Sequence, residues 1–224
     1  MFRVITLCAS ALALLPMGAA AQVAELRFGI AQFDEELFDL DGSPPGRADE
    51  TSVAITGEIL FEEPKFLKWA LSPQPYIGGS LNLEGETSFG GGGLLWRQTF
   101  GKKFYGDFAL GGVAHTGTRA IGVTDELVSL LNQADAFATI DDIPMDLIDE
   151  LNVELADRAE RENSEIEFGS RLLFRLQWAL GYNISEAWAG EVYLEHLSNG
   201  RGNILAEDVN EGVNNIGVRA VRKF

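Results

Sequence analysis

The chain has 224 residues, with 34 acidic against 17 basic side chains and a formal net charge of −17, a balance that excludes nucleic acid as a natural partner. Its single cysteine, Cys8, lies in an apolar stretch close to the N-terminus. The chain beyond that stretch therefore offers neither disulfides nor cysteine metal sites.

Met1-Phe2-Arg3 supplies one positive charge, Val4 to Leu15 is apolar but too short to span a bilayer, and Ala19-Ala20-Ala21 before Gln22 fits a small-residue cleavage site. Residues 1–21 read as a secretory signal peptide. Its removal takes away Arg3 and no acid, so the remaining 16 basic and 34 acidic residues give −18. About 200 residues remain, enough for one domain spanning residues 22–224. No later segment approaches the ~20 consecutive apolar residues of a membrane helix.

Alternating runs of roughly ten residues, separated by turn-rich gaps, then recur along the chain, as the strands of a transmembrane barrel do. There are eight. The first, Val23 to Phe33, carries Leu26, Phe28 and Ile30 on one face and Glu25, Arg27 and Gln32 on the other. The second, near Thr51 to Phe61, presents Val53, Ile55, Ile59 and Phe61; the third, Gln74 to Gly85, presents Ile77, Leu81 and Leu83. The fourth, Gly91 to Phe100, aligns Leu94, Trp96 and Phe100, and the fifth, Phe104 to Ala114, aligns Phe104, Phe108 and Leu110. The sixth alternates most strictly, with Ile166, Phe168, Leu172, Phe174, Leu176, Trp178 and Leu180 opposite Glu167, Arg171, Arg175 and Gln177. The seventh runs from Trp188 to Ser198. The eighth, Asn214 to Phe224, sets Ile216, Val218, Ala220 and Phe224 against Arg219 and Lys223, and its terminal aromatic resembles the C-terminal signal of bacterial outer-membrane barrels.

The fold class is thus all-β: an eight-stranded antiparallel transmembrane β-barrel, closed because unpaired strand edges are not tolerated in hydrocarbon. With both termini in the periplasm, the turns near Glu63 to Leu71, Gly101 to Lys103 and Asn183 to Glu186 are periplasmic. The segments near Asp34 to Glu50, Gly85 to Gly90, His115 to Glu165 and Asn199 to Val213 are external. Interior Lys and Arg, set against Glu25, Glu58, Glu84, Glu167, Glu191 and Glu195, predict a lumen filled by charge pairs rather than a wide pore. Residues 116–165 form a long acidic external loop, with 13 Asp or Glu against Arg119, Arg158 and Arg161. A loop of that length needs structure or disorder of its own. The spacing of Leu147, Leu151 and Leu155 predicts a helix over Asp146 to Leu155, and Asp125 to Leu131 a second short one.

Chemistry concentrates on the seventh run. Trp188, Val192, Leu194, His196 and Ser198 share a face, while Glu191 and Glu195 take the other, so a base and a nucleophile lie two residues apart on the apolar side. That strand rises from the periplasm, which puts His196 and Ser198 at its outer end facing lipid. Unpartnered polar groups are unfavourable there, although an interfacial histidine also fits an ordinary amphipathic rim. Ser-His chemistry needs the base within reach of the hydroxyl and a third group to orient the imidazole. His115, the other histidine, is in the opposite phase from Phe108 and Leu110 and reads as a rim residue. Asn214, at the outer end of the neighbouring eighth strand, is in phase with Ile216 and Val218 and so shares the face of the pair.

His196-Leu197-Ser198-Asn199-Gly200, then Asn210-Glu211-Gly212-Val213-Asn214, then Asn215-Ile216-Gly217-Val218-Arg219 to Phe224, resemble the lipid A 3-O-deacylase (PagL) family of acyloxyacyl hydrolase-like outer-membrane barrels. The resemblance is strong over residues 187–224 and diffuse elsewhere. It implies an eight-stranded outer-membrane barrel that removes the 3-linked acyl chain of lipid A with a Ser-His-Glu triad on its outside wall. Carried over, it makes Ser198 the nucleophile and His196 the base, with Asn199 or Asn210 stabilising the oxyanion. The family's glutamate aligns with Asn214, and Glu211 stands where the family often has proline, so either Asn214 or Glu211 is left to complete the triad. Relative to the family, residues 116–165 look like an insertion, read either as a lid or cation-bridged contact with lipopolysaccharide phosphates or as a solvated acidic loop.

The leading expectation is an outer-membrane ester hydrolase that needs no metal or cofactor, takes lipid A or lipopolysaccharide laterally from the outer leaflet, and has a homodimer as one allowed state. The alternative is a non-enzymatic eight-stranded barrel serving adhesion or envelope integrity through its acidic loops. A secreted soluble barrel binding a small ligand inside also fits the leader, but leaves the outward aromatics and Phe224 unexplained.

Overall fold

A computed structural model of the chain describes residues 22–33, 51–119, 121–137, 139, 143–200 and 212–224. The expected leader, the first external loop and most of the last one lie outside the described residues. Eight strands form one closed antiparallel barrel: β1 (Val23–Phe33), β2 (Ser52–Phe61), β3 (Gln74–Asn82), β4 (Phe89–Phe100), β5 (Phe104–His115), β6 (Leu172–Asn183), β7 (Trp188–Ser198) and β8 (Val213–Lys223). Each pairs with its sequence neighbours, and β1 closes on β8 from Glu25↔Lys223 to Gln32↔Ile216, leaving no edge. Both described ends of the chain lie at one end of the barrel, its lower end.

The wall is apolar outside and charged inside, the inverse of a water-soluble protein. Phe28 is 54% exposed and Leu180 60%, with Ile30, Val53, Ile55, Leu81, Leu110, Val192 and Val218 likewise outward. Lipid is the environment in which such a surface is favourable. Gln32 departs from the sequence expectation, since it is exposed with Leu26, Phe28 and Ile30, whose parity it shares. At the lower end, Phe100, Phe104, Tyr182, Trp188 and Phe224 are exposed, and a 3-10 turn at Lys65–Ala70 adds Phe66 and Trp69. This is the aromatic and lysine composition of a membrane–water interface. The Trp96 indole donates to the Ala70 carbonyl at 2.8 Å and pins that turn to the wall.

Inside, Arg27, Arg97, Arg175 and Arg219 interleave with Glu25, Glu58, Asp107, Glu191 and Glu195. Arg27 lies 2.7 Å from Asp107 and 3.1 Å from Glu25; Arg97 lies 2.8 Å from Asp107; Arg175 reaches Glu58 at 2.5 Å and also Glu195; Arg219 lies 2.9 Å from Glu58. Charges this deep persist only when paired. Gln177, Asn215 and the Tyr105 hydroxyl satisfy further carboxylate lone pairs. Glu84 and Glu167, expected in this lumen, belong to the loops: Glu84 accepts from the Val53 amide and Glu167 from the Ile121 amide.

The upper mouth is closed by apolar packing. Ile166 and Phe168, expected on the lipid face of the sixth strand, are instead fully buried with Phe33, Phe89, Val113, Leu173, Leu197 and Val213. The strand begins only at Leu172 because Gly169, at φ 66°, turns the incoming chain out of the mouth and onto the wall. Beyond β5, the acidic segment forms two helices, α1 (Asp125–Ala134) and α2 (Met145–Ser164), each longer than the sequence spacing suggested. The Thr124 side chain caps α1 by accepting from the Leu127 amide at 3.0 Å. Below α2, Glu165 accepts from Arg161 at 3.1 Å and from Thr118 at 2.5 Å. The Arg161 hydrogen bond, with Thr118 assisting, holds the Glu165 carboxyl below the usual carboxylate range.

Candidate active site on the outer wall

The strict alternation of β7 sends Glu191, Tyr193, Glu195 and Leu197 inward and leaves Val192, Leu194, His196 and Ser198 on the outer wall. On one side, His196 faces Leu176 and Ser198 faces Phe174 across the β6 register. On the other, His196 faces Asn214 of β8, and the two side chains meet, imidazole Nδ1 to Asn214 Oδ1, at 2.9 Å. His196 and Ser198 are half-buried and Asn214 is buried, all near the upper end of the wall.

Because Oδ1 can only accept, Nδ1 is the donor in this contact, an arrangement that in the neutral imidazole leaves Nε2 with the lone pair a general base needs. Ser198 stands two residues farther along the strand, roughly 7 Å at the usual rise. No hydrogen bond joins its hydroxyl to the imidazole among the described residues. A catalytic contact of this kind often tightens only when substrate arrives.

The carboxylates nearest in sequence do not serve the imidazole. Glu195 is held inside by Arg175, Gln177 and Asn215, and Glu191 by Arg219 and Tyr105. Asn214 is thus the hydrogen-bond partner of His196 among the described residues. Glu211, the rival third member, and Asn210, one of the two expected oxyanion donors, lie outside the described residues. Asn199 is 1% exposed, and its side chain turns to the inner side, where Nδ2 donates to the Phe168 carbonyl at 2.9 Å. This orientation follows the inward parity of Glu195 and Leu197.

His115 lies inside the mouth rather than on a rim. Its ring is 4.5 Å from that of Phe168, with Nε2 2.5 Å from the Ser170 carbonyl. Sequence reasoning put Phe168 on the lipid face and so missed that its backbone ties this interior packing to Asn199. The signal was Gly169-Ser170, a turn-forming pair interrupting the alternation.

The family described as Lipid A 3-O-deacylase (PagL) matches the chain over residues 150–222. That stretch begins inside α2, so the segment read as an insertion overlaps the match from residue 150 onward. No curated protein sequence matches the chain. Among solved structures, the crystal structure of the outer membrane enzyme PagL is 9% identical, with a TM-score of 0.49, over 90% of this chain and 100% of that one. The Yersinia pestis outer membrane protein Ail is 10% identical, with a TM-score of 0.39 over 90% and 99%, and the de novo designed TMB2.3 is 10% identical, with 0.38 over 92% and 98%. The third of the chain that carries β6, β7, nearly all of β8 and the His196–Asn214 pair is similar in sequence to the lipid A 3-O-deacylase (PagL) family.

Proposed function

We propose that this chain is an outer-membrane esterase that removes the 3-linked acyl chain of lipid A, exported by a cleaved leader and oriented with the α1–α2 arm outside the cell. The observation that carries this reading is the 2.9 Å contact between His196 Nδ1 and Asn214 Oδ1 on a lipid-facing wall, two residues from Ser198. A hydroxyl and an oriented imidazole on the outside of a barrel are open to a substrate that diffuses sideways in the outer leaflet, and closed to one that must enter the lumen.

In this reading Ser198 Oγ attacks the carbonyl carbon of the ester while His196 Nε2 takes the hydroxyl proton. Asn214 holds the ring in the tautomer that leaves Nε2 free. Collapse of the tetrahedral intermediate expels the sugar alkoxide, which receives the proton back from the imidazolium. Water, activated by the same nitrogen, then attacks the acyl-serine and releases the 3-hydroxy fatty acid. The amide of Asn214 stabilises the imidazolium less than a carboxylate does, so the intrinsic rate is lower than a Ser-His-Glu arrangement would support. Purified protein refolded in detergent and mixed with lipid A is expected to release one 3-hydroxy fatty acid per lipid. Absence of release, with the barrel folded, would favour a non-enzymatic barrel.

A further inference from the structure

We infer that Asn199 is a positioning residue that holds Ser198 in place by tying the end of β7 to an interior plug formed by residues Ile166–Ser170; the inference rests on the esterase reading of Ser198. Ser198 is the last residue of its strand, and its pairing is one-sided: it faces Phe174 on β6, whereas pairing with β8 ends at Leu197↔Val213. Gly200, at φ 83°, then turns the chain away. Strand ends held this way fray, which a nucleophile cannot do and still meet its base.

The carboxamide of Asn199 supplies a restraint from the inner side. It is buried, and Nδ2 donates to the Phe168 carbonyl at 2.9 Å. Phe168 is itself fixed, since its ring packs on His115 at 4.5 Å and its amide donates to the Thr118 carbonyl at 3.1 Å. The Gly169 amide donates to the Arg119 carbonyl at 2.7 Å, and the Ser170 carbonyl lies 2.5 Å from His115 Nε2. Residues 166–170 are thus moored to β5 and its continuation, and Asn199 moors the nucleophile's strand to them. Because the side chain points away from the face that bears Ser198, its effect on the reaction passes through the position of Ser198.

Two measurements test this together. Asn199→Ala is expected to lower kcat about 10- to 100-fold with KM changed less than about twofold, the scale for a reacting group misplaced by about an ångström. His115→Ala, which frees the plug and leaves Asn199 in place, should lower kcat in the same way, and the double variant should be no slower than the slower single one. An Asn199 acting directly on the oxyanion instead predicts full activity in His115→Ala, and that result overturns the inference. Independently of activity, the mature chain holds no cysteine, so a nitroxide on Ser198→Cys reports the strand end alone. Its spectrum should gain a mobile component in both backgrounds while a label on Val192→Cys stays unchanged. An unchanged Ser198 label overturns the inference even if the parent proves inactive on lipid A, an outcome that sinks the esterase reading separately. Should His115→Ala lack the heat-modifiable band of a folded barrel, Phe168→Leu takes its place.

Discussion

Replacing Asn214 by Asp keeps the shape of the side chain, leaves an oxygen 2.9 Å from His196 Nδ1, and adds a negative charge opposite the imidazolium that forms during attack. A hydrogen bond to a charged group contributes about 1.5–3 kcal/mol, against about 0.5–1.5 for a neutral one. The difference, about 1–1.5 kcal/mol, corresponds to a rate gain of about tenfold. The ceiling follows from Coulomb's law: opposite charges about 4 Å apart, in an environment of effective dielectric about 20, attract by about 4 kcal/mol, or about a thousandfold in rate. The Asp variant should therefore raise kcat/KM for fatty-acid release from lipid A by about 10-fold or more. Asn214→Glu should act in the same direction with poorer geometry, and Asn214→Ala should be slower than the parent. A folded Asn214→Asp that is no faster would refute the idea that residue 214 orients His196. Loss of activity only in Glu211→Ala would assign the third role to the loop.

Ser198→Ala and His196→Ala should each abolish deacylation while the heat-modifiable band persists, because neither side chain packs in the lumen and members of an interdependent pair fail together. Arg27→Met leaves Glu25, Glu58, Asp107 and Glu191 with one cation fewer and should cost about 3–5 kcal/mol, read as a lower urea midpoint for unfolding from micelles. Gly200→Ala places a Cβ 2.9 Å from Phe174 Cε2 at a left-handed φ, and should slow the reaction by shifting the cross-strand neighbour of Ser198; unchanged activity would argue against that coupling. The depressed Glu165 carboxyl stabilises the mooring of α2 to Thr118 fully above its unfolded value of about 4.5, and that contribution is lost as pH falls through the lower folded value. Amide exchange around residues 161–165 should accelerate below about pH 4.5 in the parent and show no such step in Glu165→Gln.

Strand number and facing were legible because an inside-out barrel imposes a strict period of two over whole strands, and Leu172 to Leu180 cannot alternate so regularly without a wall to face. The same rule misassigned Ile166 and Phe168, since alternation records parity and is blind to where the chain leaves the wall; Gly169, with its left-handed backbone, was the mark of that departure. Glu84 and Glu167 were assigned to the lumen by the same parity, although they lie beyond the strand ends. That His196 and Asn214 share a face followed from parity. Their meeting at 2.9 Å depends on the β7–β8 register, which loop residues 199–212 do not encode in any local pattern. The inward turn of Asn199 continues the parity of Glu195 and Leu197 and was legible there; family resemblance carries a residue's identity and not the direction of its side chain.

Deacylation of lipid A through Ser198 is tested most directly by mass spectrometry of lipid A from bacteria whose lipid A carries a 3-linked hydroxyacyl ester, expressing either this protein or its Ser198→Ala variant at equal levels in the outer membrane. The parent should shift lipid A to a species lighter by one hydroxyacyl chain, and the variant should leave it intact. Lipid A unchanged by the folded parent, or shifted equally by both proteins, would contradict an esterase built on Ser198.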